Sequence, residues 1–100
     1  MNITTNLDGG KLTVTAEGKI GTTSAPELDK AVTEKIDGVT ELVFDLEKVE
    51  YMASAGLRVL LSAAKTMKNQ GKMKIINVPP AVMEVLSFTG MADVMDVVPL

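Results

Sequence analysis

Glu41 to Leu61 reads ELVFDLEKVEYMASAGLRVLL, and its texture changes halfway along. Leu42-Val43-Phe44 is a short continuous apolar run. It predicts a central strand over Glu41–Leu46, buried on both faces and parallel to a neighbour. Glu47 to Ala53 reads as a loop. From Ser54 the apolar spacing becomes helical, out to about Asn69. Leu57, Leu60, Leu61, Ala64 and Met67 fall on one face, with Arg58, Ser62, Lys65 and Asn69 on the other. Gly71 is the expected stop. A buried strand followed by an amphipathic helix is half of a βαβ unit, which makes the fold class α/β.

The flanks extend this pattern. Upstream, Ile3, Thr5 and Leu7 alternate, as do Leu12, Val14 and Ala16 on to Ile20. Asp8-Gly9-Gly10 between them marks a hairpin of two antiparallel strands. Ser24 with Glu27 forms a capping-box pattern, and Pro26 suits a first turn. Leu28, Ala31, Val32 and Ile36 then make an apolar stripe, with Gly38 as its stop. Downstream, Lys72–Val78 reads as a strand, and Pro79-Pro80 opens a third helix. Val82, Val85 and Leu86 point inward there, and Gly90 ends it. Val94–Val98 is a last short strand. The order β-β-α-β-α-β-α-β predicts a mixed sheet of four to five strands and three main helices. It also predicts right-handed crossovers and one domain over residues 1–100.

Composition narrows the chemistry. Among 100 residues there is no Cys, His or Trp. That excludes disulfide frameworks, Cys or His zinc sites, thiol nucleophiles and imidazole-based triads. A net charge of −3 argues against a nucleic-acid binder, which would show a basic stripe. The first residues lack the basic start and apolar stretch of a signal peptide, and no run is long enough to span a membrane. Cytoplasmic residence is the expectation. With no P-loop, no G-x-G-x-x-G after a strand and no carboxylate pair at workable spacing, neither a cofactor nor acid–base catalysis is indicated.

Ser54, at the start of the second helix, is the side chain whose role is most open. It admits two compatible readings: an N-cap, worth about 0.5–2 kcal/mol, or a regulatory hydroxyl presented at a helix start. Ala53, Ala55 and Gly56 leave room around it for another protein's active site. A glycine in a first helical turn costs up to about 1 kcal/mol relative to alanine, so Gly56 implies a close backbone approach, by a neighbouring element or by a partner. Asp45, at the end of its strand, reads as a cap for the N–H groups of the next loop. Met83, Phe88, Met91 and Met95 read as core filler, with an adaptable docking patch as the other reading.

Asp45-Leu46, Val49 and Tyr51-Met52-Ala53-Ser54-Ala55-Gly56-Leu57 resemble the signature of the STAS domain, the anti-sigma factor antagonists of bacteria. That signature runs D-L-x-x-V-x-[FY]-[MI]-[DS]-S-[SA]-G-[LI]. Gly18-Lys19-Ile20 before Ala25-Pro26-Glu27-Leu28 is similar to the family's first crossover. Met73–Leu86 with Thr89-Gly90-Met91 looks like its C-terminal half. The resemblance covers about Leu7 to Val98. It implies a binding module that is not itself an enzyme. The module binds a serine kinase that doubles as an anti-sigma factor, is phosphorylated at the serine matching Ser54, and is reset by a cognate phosphatase.

The resemblance also implies a partner-binding surface around Gly21, Ala53, Ala55, Gly56 and Arg58, with Asp45 in support. The chain departs from the family at two of these positions. Ala53 stands where an acidic residue or serine is common, and Gly21 where many members carry Asp. A rival implied by the same family is a constitutive subunit of a lipid-transport ATP-binding-cassette complex, with no phosphoswitch.

Overall fold

The computed structural model describes the backbone of residues 1–100 and every side chain except that of Val94. Its spine is β3, Glu41–Met52, the longest strand. β2 (Lys11–Ile20) lies parallel to it on one side and β4 (Lys72–Val78) on the other. β1 (Asn2–Asp8) closes one edge antiparallel to β2 across a Gly9-Gly10 hairpin, and β5 (Asp96–Pro99) closes the other. The five-stranded order is simply β1-β2-β3-β4-β5.

All three crossovers step the same way across the sheet. Right-handed connections therefore put α1 (Ala25–Thr33), α2 (Ser54–Met67) and α3 (Pro80–Phe88) on one face. The burial pattern agrees. Leu12, Val14, Ala16, Leu42, Phe44, Leu46 and Ile75 join Leu28, Val32, Leu57, Leu60, Val82 and Leu86 in a single core. The opposite sheet face carries Thr4, Asn6, Thr13, Thr15, Lys72 and Lys74, the solvated side of a two-layer fold.

β3 runs six residues beyond its expected end, through the stretch read as a loop. Its register against β2 explains why alternation failed as a signal. Between Thr15↔Asp45 and Glu17↔Lys48, and again between Gly18↔Val49 and Lys19↔Tyr51, β3 advances one residue more than β2. Two such bulges place Leu46, Val49 and Met52 inward at a spacing of three. β4 stops pairing at Asp45↔Ile76, and α3 also packs against β3.

Other expectations are corrected. Ser24 does not cap α1. Its hydroxyl instead accepts from the Gly21 N–H at 2.8 Å and donates to the Lys19 carbonyl at 2.9 Å, which pins the turn leaving β2. α1 ends at Thr33, ahead of Gly38, and Ile36 reaches the core from the connection. α2 closes at Met67, where Gln70 Nε2 donates to the Ile36 and Val39 carbonyls at 3.0 and 2.8 Å. Gly71 permits this return, since a Cβ there would overlap the Thr40 carbonyl. Leu61 is 37% exposed, and Ala63 takes the inward place beside it. After Gly90 comes one unforeseen helical turn, α4 (Met91–Val94), which delays β5 to Asp96.

Phe88 is the largest departure. It is 92% exposed, whereas Leu86, two residues earlier, is fully buried. α3 turns its Val82–Leu86 face inward, and Phe88 sits on the far side of its last turn. Truncation should separate the two. Leu86→Ala should lower unfolding free energy by about 2–5 kcal/mol, and Phe88→Ala by less than about 0.5 kcal/mol, in urea titrations followed by circular dichroism.

Candidate functional site

The C-terminal ends of β2 and β3 meet the first turn of α2. The Ala53 N–H donates to the Ile20 carbonyl at 2.8 Å, carrying the β2–β3 ladder one step past Ile20↔Met52. The Ala53 carbonyl then accepts from the N–H groups of Gly56 and Leu57, at 2.9 and 3.3 Å, and the helix has begun. Ala53 is thus the N-cap, in extended conformation, and no side chain caps the helix. Ser54 comes one residue too late to cap. It is the first helical residue, exposed, and its hydroxyl forms no hydrogen bond with any described residue.

Gly56 is why α2 can start so close to the sheet. A Cβ there would lie 2.7 Å from Ile20 Cγ2 and 2.9 Å from Met52 Cγ. The close approach read from the sequence is made by the chain's own β2 and β3 ends. Gly56 is buried and faces inward, so it positions Ser54 without offering a surface.

Ala55 and Arg58 do face outward. Together with Ala25, Pro26 and Asp29 they line a groove between α1 and α2, one turn from Ser54. Gly21 does not itself line that groove, although its neighbour Thr22 does. It opens the β2–α1 turn, held by Ser24 Oγ on its N–H and by the Ala25 N–H on its carbonyl at 2.9 Å. Asp45 is more remote still, on the open sheet face. Its Oδ1 accepts from the Glu47 N–H and from Asn77 Nδ2, both at 3.2 Å, and so holds the first bulge of β3. Asn77 adopts a left-handed φ of 54°, which aims its amide at Asp45.

Tyr51 belongs to the signature stretch but was given no role, its segment having read as a loop. It is 53% exposed on the strand that delivers Ser54. Glu50 is exposed on β3 four residues before Ser54 and Arg58 is exposed on α2 four residues after it, whereas Glu47 lies further back beside Asp45. Lys48 is engaged elsewhere, 3.3 Å from Glu17. Hydrogen bonding from Asn2, reinforced by Lys48, holds the Glu17 carboxyl below the usual range. Among the described residues no three carboxylates converge on a point.

The STAS-domain family profile matches residues 2–99. The chain belongs to the STAS family. The D-L…Y-M-A-S-A-G-L stretch of this STAS chain is therefore its β3–α2 junction. Its relatives include anti-sigma factor antagonists. BtrV of Bordetella bronchiseptica, assigned as one, is 30% identical over 99 residues, covering 97% of this chain and 85% of BtrV. A crystal structure of an anti-sigma factor antagonist from Mycobacterium paratuberculosis shares the fold at TM-score 0.90. It has 24% identity and covers 99% of this chain and 86% of that one. SpoIIAA in its unphosphorylated form superposes at TM-score 0.84, with 17% identity and 96% and 87% coverage. Its phosphorylated Bacillus form superposes at 0.76, with 15% identity and 96% and 90% coverage. Among the described residues, no helix is long and apolar enough to cross a membrane.

Substituting the junction glycine tests the packing. Gly56→Ala gains about 1 kcal/mol of helix propensity but must displace Ile20 and Met52. A net loss of about 1–3 kcal/mol is expected in chemical denaturation.

Proposed function

We propose that this STAS domain, acting as one unit over residues 1–100, is an anti-sigma factor antagonist. It binds an anti-sigma factor serine kinase in the bacterial cytoplasm and is switched off by phosphorylation of Ser54. The observation that carries the reading is the Ser54 hydroxyl, exposed and unbonded at the first residue of a 14-residue helix between Ala53 and Ala55. A group in that position can enter a kinase cleft without unfolding its own domain. That the chain's relatives include anti-sigma factor antagonists, and that SpoIIAA has been solved in phosphorylated and unphosphorylated forms, supports the same reading.

The chain's part is that of a substrate and ligand. The kinase supplies ATP: the γ-phosphoryl group bonds to Ser54 Oγ, its bond to the β-phosphate oxygen breaks to leave ADP on the kinase, and a base of the kinase takes the hydroxyl proton. The product carries about −1.5 to −2 charges at the positive end of α2, which favours it by about 0.3–1 kcal/mol. The domain therefore tolerates the phosphate. The interface does not, because Glu50, exposed on the strand that leads to Ser54, already lends that surface acidity. A partner fitted to the neutral serine meets added bulk and charge, at a cost of several kcal/mol. Ala53, Ala55 and Arg58 frame the contact. Gly21 and Gly56 set the backbone that presents it, Asp45 braces the strand behind it, and a cognate phosphatase restores the hydroxyl.

Calorimetric titration with the cognate kinase tests this. Ser54→Ala should bind within about twofold of the unmodified protein, and Ser54→Asp at least about 10²-fold more weakly. Equal affinity of all three proteins would refute the switch.

A further inference from the structure

The two edges of the sheet are finished differently. β5 is four residues long, carries Asp96 and Pro99, and slips register against β4 between Ile75 and Val78. Shortness, charge, proline and irregular register all keep an edge strand from pairing further. β1 has none of these. Asn2 to Leu7 contains no charge and no proline, and all seven residues of the strand pair with β2 without a bulge. Among the described residues, no other segment hydrogen-bonds to the backbone of β1 along its free side.

The hairpin shows which groups face that side. Gly9 is left-handed, at φ 62°, and Gly10 is not, the pattern of a type II′ turn. Such a turn closes on a hydrogen-bonded pair, here Asp8↔Lys11. Bonded and unbonded pairs alternate along an antiparallel ladder, so Asn6, Thr4 and Asn2 direct their N–H and C=O groups at β2. Those of Ile3, Thr5 and Leu7 point away from it. The same three residues lie on the helix-covered face, opposite Ala16, Val14 and Leu12, and Leu7 remains 51% exposed there.

This edge is its own complement. A two-fold axis through Thr5 lays the strand on a second copy with Thr5 facing Thr5, Ile3 facing Leu7 and Thr4 facing Asn6. Apolar side chains then meet on the helix face, polar ones meet on the open face, and each outward N–H meets an outward carbonyl. Shifting the register by one residue would set Ile3 against Asn6 and break the match. Charge agrees with the axis. The net charge of the chain is −3, yet its uncharged edge lets two copies meet without local repulsion, and Asp8 falls opposite Asn2.

We propose that β1 is the seam of a symmetric homodimer, in which antiparallel β1–β1 pairing continues the sheet from one copy into the other. A seam about 24 Å long buries little surface, which places the dimer in the weak, reversible class. Ser54 follows β3, and β2 separates β3 from the seam, so Ser54 stays open in both copies whether or not it is phosphorylated.

Sedimentation of the full chain between about 10 µM and about 1 mM should show a dimer half-formed at about 0.1–1 mM. Two double variants on the open face, where Thr4 and Asn6 are exposed, test the register. Thr4→Lys/Asn6→Lys sets like charges across the seam and should weaken the dimer about tenfold or more; Thr4→Lys/Asn6→Glu sets opposite charges there and should tighten it about threefold. Circular dichroism should show both variants folded. In amide exchange followed by NMR, the N–H groups of Ile3, Thr5 and Leu7 should gain protection as concentration rises. Those of Asn2, Thr4 and Asn6, already bonded to β2, should not. A monomer throughout would overturn the proposal and leave the edge to a strand of another protein. Equal dimerisation of the two double variants, or concentration-dependent protection confined to residues outside β1, would overturn it as well.

Discussion

A single close approach organises the molecule, that of the Gly56 backbone to Ile20 and Met52. Ordinary helix-on-sheet packing keeps backbones apart by the length of their side chains. Here the first turn of α2 descends onto the ends of two strands, and the Ala53 N–H completes their ladder by bonding to Ile20. The strand-to-helix corner thus has no slack. It fixes where α2 begins, how its Leu57–Leu60 face enters the core and how Ser54 stands out of it. A methyl group would wedge the corner open, which is why a residue poor for helices occupies a helix.

Much of the architecture is visible in the alternation and helical spacing of the chain. Leu12-x-Val14-x-Ala16, Leu42-Val43-Phe44 and Leu57…Met67 all lie where periodicity places them. What periodicity could not show is where the ladder is irregular. Two bulges give Leu46, Val49 and Met52 a spacing of three, neither strand-like nor helical, and the second half of β3 vanishes from view. Ser24 illustrates a different loss: a hydroxyl at a helix start has several backbone partners within reach, and spacing does not choose among them. Phe88 and Leu61 were misplaced because apolar character says what a side chain tolerates, not what the core has room for.

The site was legible to the extent that its chemistry is backbone chemistry. A serine between small residues with a glycine two positions on describes an accessible corner. The exposure of Ser54 and the seat of Gly56 follow from that pattern. Tertiary partners were not legible. Asn77, 32 residues from Asp45, reaches it only because β4 lies beside β3 and Asn77 turns left-handed. The α1–α2 groove exists only because two helices separated by a strand share one sheet face.

β3 outruns β4. From Leu46 to Met52 it is paired with β2 alone. The last seven residues of the strand, about 20 Å of extended chain, therefore form a two-stranded promontory beyond the body of the sheet. Ser54 stands at its tip. Under the proposed switch, a kinase cleft approaching along that extension meets Ser54 at its end, so reach as well as sequence enters the choice of hydroxyl.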